Sequence, residues 1–202
     1  MTMATPAIAP IGRMIRRGAY DANANAAGRQ AVVMPYTACG TCSSCRAGRV
    51  NACRHNRTLG VQQDGGLSER LVMPFDKLIL NDTLAPRHLA LVEPLSVGFH
   101  AVDRGRITAK DTVVVLGCGM IGMGAVIGAV ARGARVIAVH FGDKTGIALT
   151  YGAAHSIDPA NRDVAAEVAD LTGGDGADVV IEAVGLPATF TQAIDLVCYG
   201  GR

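Results

Sequence analysis

Four of the six cysteines fall inside CGTCSSCRAGRVNAC, as Cys39, Cys42, Cys45 and Cys53, with gaps of two, two and seven residues. Thiolates at such spacing can wrap one ion within a single loop, and Zn2+ takes four soft ligands in a tetrahedron. Gly40 and Gly48 suit the tight turns that this wrapping requires. Four thiolates close the coordination sphere and leave no position for water or substrate, so the expected zinc is structural rather than catalytic. An iron–sulfur centre is the rival metal. The bacterial ferredoxin run, however, has a shorter last gap and a proline after its final cysteine, where this chain has Arg54. Disulfides or unligated thiols are the remaining alternative. His55, two residues past Cys53, reads as a surface loop residue rather than a fifth ligand, and Cys118 and Cys198 read as buried small hydrophobes.

A second stretch, VVVLGCGMIGMG, contains G-x-G-x-x-G at Gly117, Gly119 and Gly122, with Met120 and Ile121 between the last two glycines. It follows an expected strand and opens an expected helix, the context in which this pattern binds a dinucleotide. Gly117 allows the tight turn, Gly119 lets a pyrophosphate approach the backbone, and Gly122 lets helix and strand pack closely. The helix N-terminus then favours the phosphate charge. A merely structural tight turn is the alternative. The fingerprint also expects an acid about twenty residues on, holding the adenosine ribose. That place is taken by His140, after RVIAV, and the nearest carboxylate is Asp143. A neutral imidazole can hydrogen-bond a ribose hydroxyl and a protonated one can meet a 2′-phosphate, so the cofactor is NAD or NADP.

These groups must be positioned by elements that change character along the chain. Residues 1–30 show no sustained period and read as an unassigned leader, with a faint likeness to a mitochondrial transit peptide. Residues 31–100 read as strand-like pieces (AVVMPY, GGLSERLVMP, DKLIL) around the cysteine loop, and residues 101–110 as a short polar connection. From Asp111 onward, β and α segments alternate: TVVVLG, MIGMGAVIGAVARG, RVIAVHF, a helix near DKTGIALTYGA, DVAAEVADLTG, ADVVIEAVG and ATFTQAIDLVCYG. Such alternation implies parallel βαβ units, an α/β chain with a doubly wound sheet. Twenty residues without a charge, between Asp111 and Arg132, carry G-x-x-x-G at Gly124 and Gly128 and raise the question of a membrane span. The β-branched start and the clustered glycines fit a strand and a turn instead.

Composition narrows the function classes. Nineteen basic and 17 acidic residues leave a net charge of only +2, and the basic ones are scattered, so no nucleic-acid surface is expected. The chain carries no long apolar secretory core, which places its cysteines in a reducing, cytoplasmic setting where metal binding outranks disulfides.

Both motifs in this order, from about Ala31 to Arg202, resemble the zinc-containing medium-chain alcohol and polyol dehydrogenases. The resemblance rests on CGTCSSCRAGRVNAC, GVQQDGGLSERLVMP, LVEPLSVGFHAV, VVVLGCGMIG and GGDGADVVIEAVG, and it leans toward the sorbitol, threonine and sugar-acid branch. It implies a partial GroES-like, β-rich catalytic domain with a structural zinc lobe over residues 31–100. A partial Rossmann domain follows over 101–202. The implied chemistry is hydride transfer between a secondary alcohol and NAD(P), with a small-molecule substrate, no membrane, and homo-oligomeric full-length members. The family's catalytic zinc takes an upstream cysteine, an upstream histidine–glutamate pair and a downstream cysteine or glutamate. Glu93 of EPLSV matches the downstream ligand; upstream of Cys39 there is neither cysteine nor histidine. His88 and His100 are the substitutes to consider, and a helix-start carboxylate is the plainer role for Glu93. The expectation is a chain incomplete at both ends with little or no turnover; the alternative is a non-catalytic zinc- and dinucleotide-binding fragment.

Overall fold

The structure, a computed structural model, describes residues 28–142 and 145–202, apart from the Thr145 side chain. Nearly all of the 1–30 leader, and Asp143, therefore lie outside the described residues. The chain divides into two compact units, Met1–Glu93 and Pro94–Arg202.

In the first unit, β1 (Ala31–Val33) pairs antiparallel with β2 (Leu78–Leu80), Ala31 opposite Leu80 and Val33 opposite Leu78. The ladder extends at both ends, through Met34 N–H to the Lys77 carbonyl (2.8 Å) and Asn81 N–H to the Gln30 carbonyl (3.0 Å). An Arg29–Asp82 ion pair at 2.7 Å closes the open end. The cysteine loop contains the one-turn helix α1 (Ser43–Arg46) and a 3-10 turn at Val50–Ala52. GGLSERLVMP forms no strand, because no neighbouring strand takes its backbone bonds: Leu67 and Val72 stand 96 % and 97 % exposed.

Residues 86–104 are the larger correction. They form α2 (Pro86–Arg104), a helix of 19 residues, where strand-like pieces and a polar connection were expected. Proline suits its first position, whereas Pro94, in its interior, removes one helical hydrogen bond. The missed signal is the spacing of Leu95, Phe99 and Val102, one helical face (i, i+4, i+7). A Cβ on Gly124 would touch Leu95, and one on Gly128 would touch Phe99 and Val102. Those three residues therefore pack against α3 (Met120–Ala131).

The second unit is built on four parallel strands in the order β5-β4-β3-β6: β3 (Thr112–Leu116), β4 (Arg135–Val139), β5 (His155–Ile157) and β6 (Val179–Glu182). Helices α4 (Thr145–Thr150), α5 (Val164–Thr172) and α6 (Pro187–Leu196) complete the alternation read from the sequence. Side chains alternate across the sheet. Val113, Val115, Val136, Ala138 and Ile181 join Val126 and Ala129 of α3 in one apolar cluster. Val114, Leu116, Ile137, Val139 and Ile157 join Val164, Val168 and Leu196 in the other. A fully buried aliphatic side chain contributes about 1.5–3 kcal/mol, and both faces of this sheet are covered by such residues. The outer edge of β6 is bonded by Arg202, whose N–H meets the Asp178 carbonyl at 3.0 Å and whose carbonyl takes the Val180 N–H at 2.9 Å.

The glycine pair that raised the question of a membrane span has a packing role. A Cβ on Gly124 would stand 2.5 Å from the Leu95 carbonyl oxygen, and one on Gly98 2.3 Å from the Ala125 nitrogen. Two backbones thus approach where only glycine leaves room. No helix among the described residues is long and apolar enough to cross a membrane.

Candidate functional site

The four predicted cysteines meet. The Sγ atoms of Cys39, Cys42, Cys45 and Cys53 all lie within 4.8 Å of one another, the only such group of three or more metal-ligating side chains among the described residues. Zn–S bonds of about 2.3 Å place tetrahedral sulfurs roughly 3.8 Å apart, so this donor set fits zinc with little adjustment. Local structure explains the convergence. Gly40 and Gly48 both take φ +73°, and Gly48 closes α1 as its N–H meets the Cys45 carbonyl (3.0 Å) and the Arg49 N–H meets that of Ser44 (2.8 Å). Backbone N–H groups of Cys39 and His55 donate to Cys53 Sγ at 3.3 Å, and that of Cys42 to Cys39 Sγ at 3.4 Å. Hydrogen bonds from Thr41, side chain first and backbone next, and then from the Cys42 N–H, pull the Cys39 thiol down to about 5. Burial and then the neighbouring Cys42 push Cys45 up to about 11. Thiols crowded in this way ionise together only around a cation. His55 is exposed and takes part through its backbone alone.

Glu93 is half-buried on α2, and its Oε1 accepts the Tyr36 hydroxyl at 3.1 Å. Burial first, and then this carboxylate, raise the Tyr36 pKa above its ordinary 10.0. His88 and His100 are both exposed, and neither joins Glu93 in a metal-ligating group among the described residues. Among the described residues, the donors around Glu93 therefore do not make up a second, catalytic zinc site. Tyr36 was missed by sequence reasoning; its one signal was a phenol three residues before Cys39.

The glycine turn sits at the carboxyl end of β3, beside the point where strand order reverses between β3 and β6. Ligands of open α/β sheets bind in such a crevice. The three glycines answer to three different demands. Gly117 takes φ +88°, its N–H donates to the Val139 carbonyl at 2.7 Å, and a Cβ there would meet Val184 Cγ2 at 2.6 Å. A Cβ on Gly122 would stand 1.7 Å from the Gly117 carbonyl oxygen. Gly119, the N-cap of α3, has nothing within 4 Å of a Cβ. It therefore faces an open cradle, into which the first N–H groups of α3 bring unpaired donors. Met120 and Ile121, in that first turn, are 46 % and 45 % exposed.

His140 follows β4 at the expected place, its N–H bonded to the Ile157 carbonyl at 3.1 Å. Its side chain is buried, and its Nε2 has no hydrogen-bond partner among the described residues. Such an atom costs roughly 1–3 kcal/mol until something bonds to it.

The β6–α6 turn, for which the sequence offered no site residue, forms part of the same end of the sheet. Ala183 N–H donates to the Leu116 carbonyl at 2.9 Å. Glu182 Oε1 accepts from Val184 N–H (2.7 Å), Gly185 N–H (2.9 Å) and the Thr189 hydroxyl (2.8 Å). Burial works to raise the Glu182 pKa, but the bonds from Gly185, Thr189 and Val184 prevail and hold it below its ordinary 4.5. A groove of about 640 Å³ between α5 and α6 is lined by residues such as Val168, Gly176 and Tyr199. It lies before β6 and after α6, at the amino ends of the strands, where such sheets do not place their ligands.

Residues 5–82 match the alcohol dehydrogenase GroES-like domain, and residues 121–202 match the zinc-binding dehydrogenase domain. The chain is 35% identical over 182 residues to L-galactonate-5-dehydrogenase of Escherichia coli K12, covering 86% of this chain and 52% of that protein. It is 35% identical over 209 residues to erythritol/L-threitol dehydrogenase of Mycolicibacterium smegmatis, covering 100% of this chain and 58% of that protein. A solved structure from Sinorhizobium meliloti 1021, bound to NADP, superposes with a TM-score of 0.81 at 37% identity, covering 86% of this chain and 52% of that one. The chain thus spans little more than half the length of the curated relatives it matches.

Proposed function

The chain belongs to the zinc-containing medium-chain alcohol and polyol dehydrogenases, and from that premise we propose that it binds one structural zinc and one NAD(P). The proposed reaction of the whole protein is hydride transfer between a secondary alcohol and the dinucleotide. Its substrate would be a small polyol or sugar acid, the class named for the two curated relatives above. The setting is a reducing, cytoplasmic one, where thiols hold metal rather than each other.

The observation that carries this reading is the Gly119 cradle. Gly117 and Gly122 are glycines because neighbouring protein atoms leave no room, whereas Gly119 faces open space. A pyrophosphate needs that space, and the N–H groups opening α3 suit its charge. When bound, NAD(P) supplies the hydride acceptor and the zinc supplies a cross-link among four loop positions. The chain's own part is to hold the pyrophosphate at Gly119 and the start of α3, with Met120 and Ile121 flanking it. His140 Nε2, buried and unpartnered, would meet the adenosine ribose hydroxyls or a 2′-phosphate.

Turnover by this 202-residue chain is expected to be low or nil. Of the donors that an alcohol-binding zinc requires, Glu93 alone has a counterpart, and its Oε1 already accepts the Tyr36 hydroxyl. The test measures zinc content, NADH binding by nucleotide fluorescence, and oxidation of polyols. The expected result is one zinc per chain, bound NADH and negligible oxidation. Polyol oxidation with NAD that disappears in Glu93→Ala would show a working catalytic centre and overturn the low-activity reading.

A further inference from the structure

We propose that Glu182 is a positioning residue for the dinucleotide: its carboxylate folds the turn at residues 183–186 against the glycine turn and so shapes one wall of the cradle. The proposal rests on the dinucleotide reading above. Glu182 ends β6 directly opposite Leu116, the last residue of β3. The turns that follow the two strands therefore leave the sheet side by side.

Their contact is close. The Cβ that Gly117 lacks would stand 2.6 Å from Val184 Cγ2 and 3.3 Å from the Ala183 carbonyl, and that of Gly122 would stand 3.5 Å from Ala183 Cβ. Ala183 and Val184 thus lie on the first and third glycines of the fingerprint, with the open Gly119 between them in sequence. Val184 is itself 45 % exposed, so packing alone restrains it weakly. The restraint comes from a single oxygen, Glu182 Oε1, which accepts the two backbone N–H groups of Val184 and Gly185 and the Thr189 hydroxyl. Thr189 in turn ties the turn to α6, its hydroxyl oxygen accepting the Leu186 N–H at 3.3 Å. Three donors on one oxygen suit an ionised carboxylate, whose charge-assisted bonds are about twice as strong as neutral ones.

The experiment compares wild type, Glu182→Gln, Thr189→Val and Thr189→Ser at a temperature where each is fully folded by circular dichroism. It reads NADH affinity by fluorescence titration, amide exchange at residues 183–186, and zinc content. Glu182→Gln keeps the shape and loses the charge; it should weaken NADH binding about three- to tenfold and speed exchange at 184 and 185, with zinc unchanged. Thr189→Val should weaken binding about twofold, and Thr189→Ser should restore it. A merely structural role lowers thermal stability in Glu182→Gln while leaving NADH affinity within error of wild type, and that result overturns the proposal. If Glu182→Gln does not fold, the Thr189 pair decides: equal NADH affinity in the valine and serine variants overturns it. Wild type that binds no NADH removes the dinucleotide reading, and this proposal with it. Wild type that binds while all variants bind alike removes this proposal alone.

Discussion

The cysteine lobe and the parallel-sheet unit are held together by different means. Among the described residues up to Glu93, Cys53 and Leu89 are the only buried apolar side chains, and one of them is a proposed metal ligand. The unit from Pro94 onward buries two complete apolar clusters, one on each face of its sheet. A loop with so little apolar burial needs a cross-link to offset the entropy of ordering it, whereas a doubly covered sheet does not. The lobe should therefore answer to metal and the sheet to packing, each without the other.

The widest test of that division is Cys42→Ser, or removal of metal by a chelator. Structural zinc contributes on the order of 10–16 kcal/mol to the folding of small zinc modules. Zinc should be lost and residues 39–53 should exchange freely, while thermal unfolding of the sheet unit stays in place. Unchanged metal content would remove the zinc assignment; a sheet unit that melts together with the lobe would break the comparison itself.

A smaller effect is expected on the other side. In Gly98→Ala the new Cβ would stand 2.3 Å from the Ala125 nitrogen and 2.3 Å from the Ile121 carbonyl oxygen, both backbone. Overpacking of this kind costs about 1–3 kcal/mol and more where backbone must move. The melting temperature of the sheet unit should fall, with one zinc still bound. Loss of zinc in this variant would show that the two regions are coupled.

The smallest effect concerns ligand choice. His140→Asp places a carboxylate where the fingerprint expects one, and should tighten NAD several-fold at the expense of NADP. Titrations with the two dinucleotides that show no change in either affinity would detach His140 from the ribose.

Legibility in the sequence followed the same division. The cysteine cluster could be read because metal chemistry prescribes both residue type and spacing, and the glycine turn because backbone approach admits one residue only. Strands β3, β4 and β6 were legible from short apolar runs between turns, whereas β5, with the sequence HSI, offers no such run. Helix α2 was not, since Pro94 in its interior reads as a break, and only contact with Gly124 and Gly128 shows the shared face of Leu95, Phe99 and Val102. The GGLSERLVMP stretch alternates well enough for a strand, but a strand also needs a partner, which local pattern does not reveal. Tyr36 and Glu182 escaped for a different reason. Their importance lies in hydrogen bonds that the fold creates, one to Glu93 across the chain and three to the turn after β6.

Because apolar residues line both faces of the sheet, shifting β3 by one position would exchange one buried set of side chains for another. Hydrophobic patterning then discriminates only weakly against the slipped pairing. Alignment has to be written into the polar groups at the ends of the strand. Thr112 N–H is pinned to Asp178 Oδ2 at 2.7 Å where β3 begins, and Gly117 N–H is pinned to the Val139 carbonyl at 2.7 Å just past its end. The second pin belongs to Gly117, so the turn proposed to hold the nucleotide also helps to keep the central strand in step.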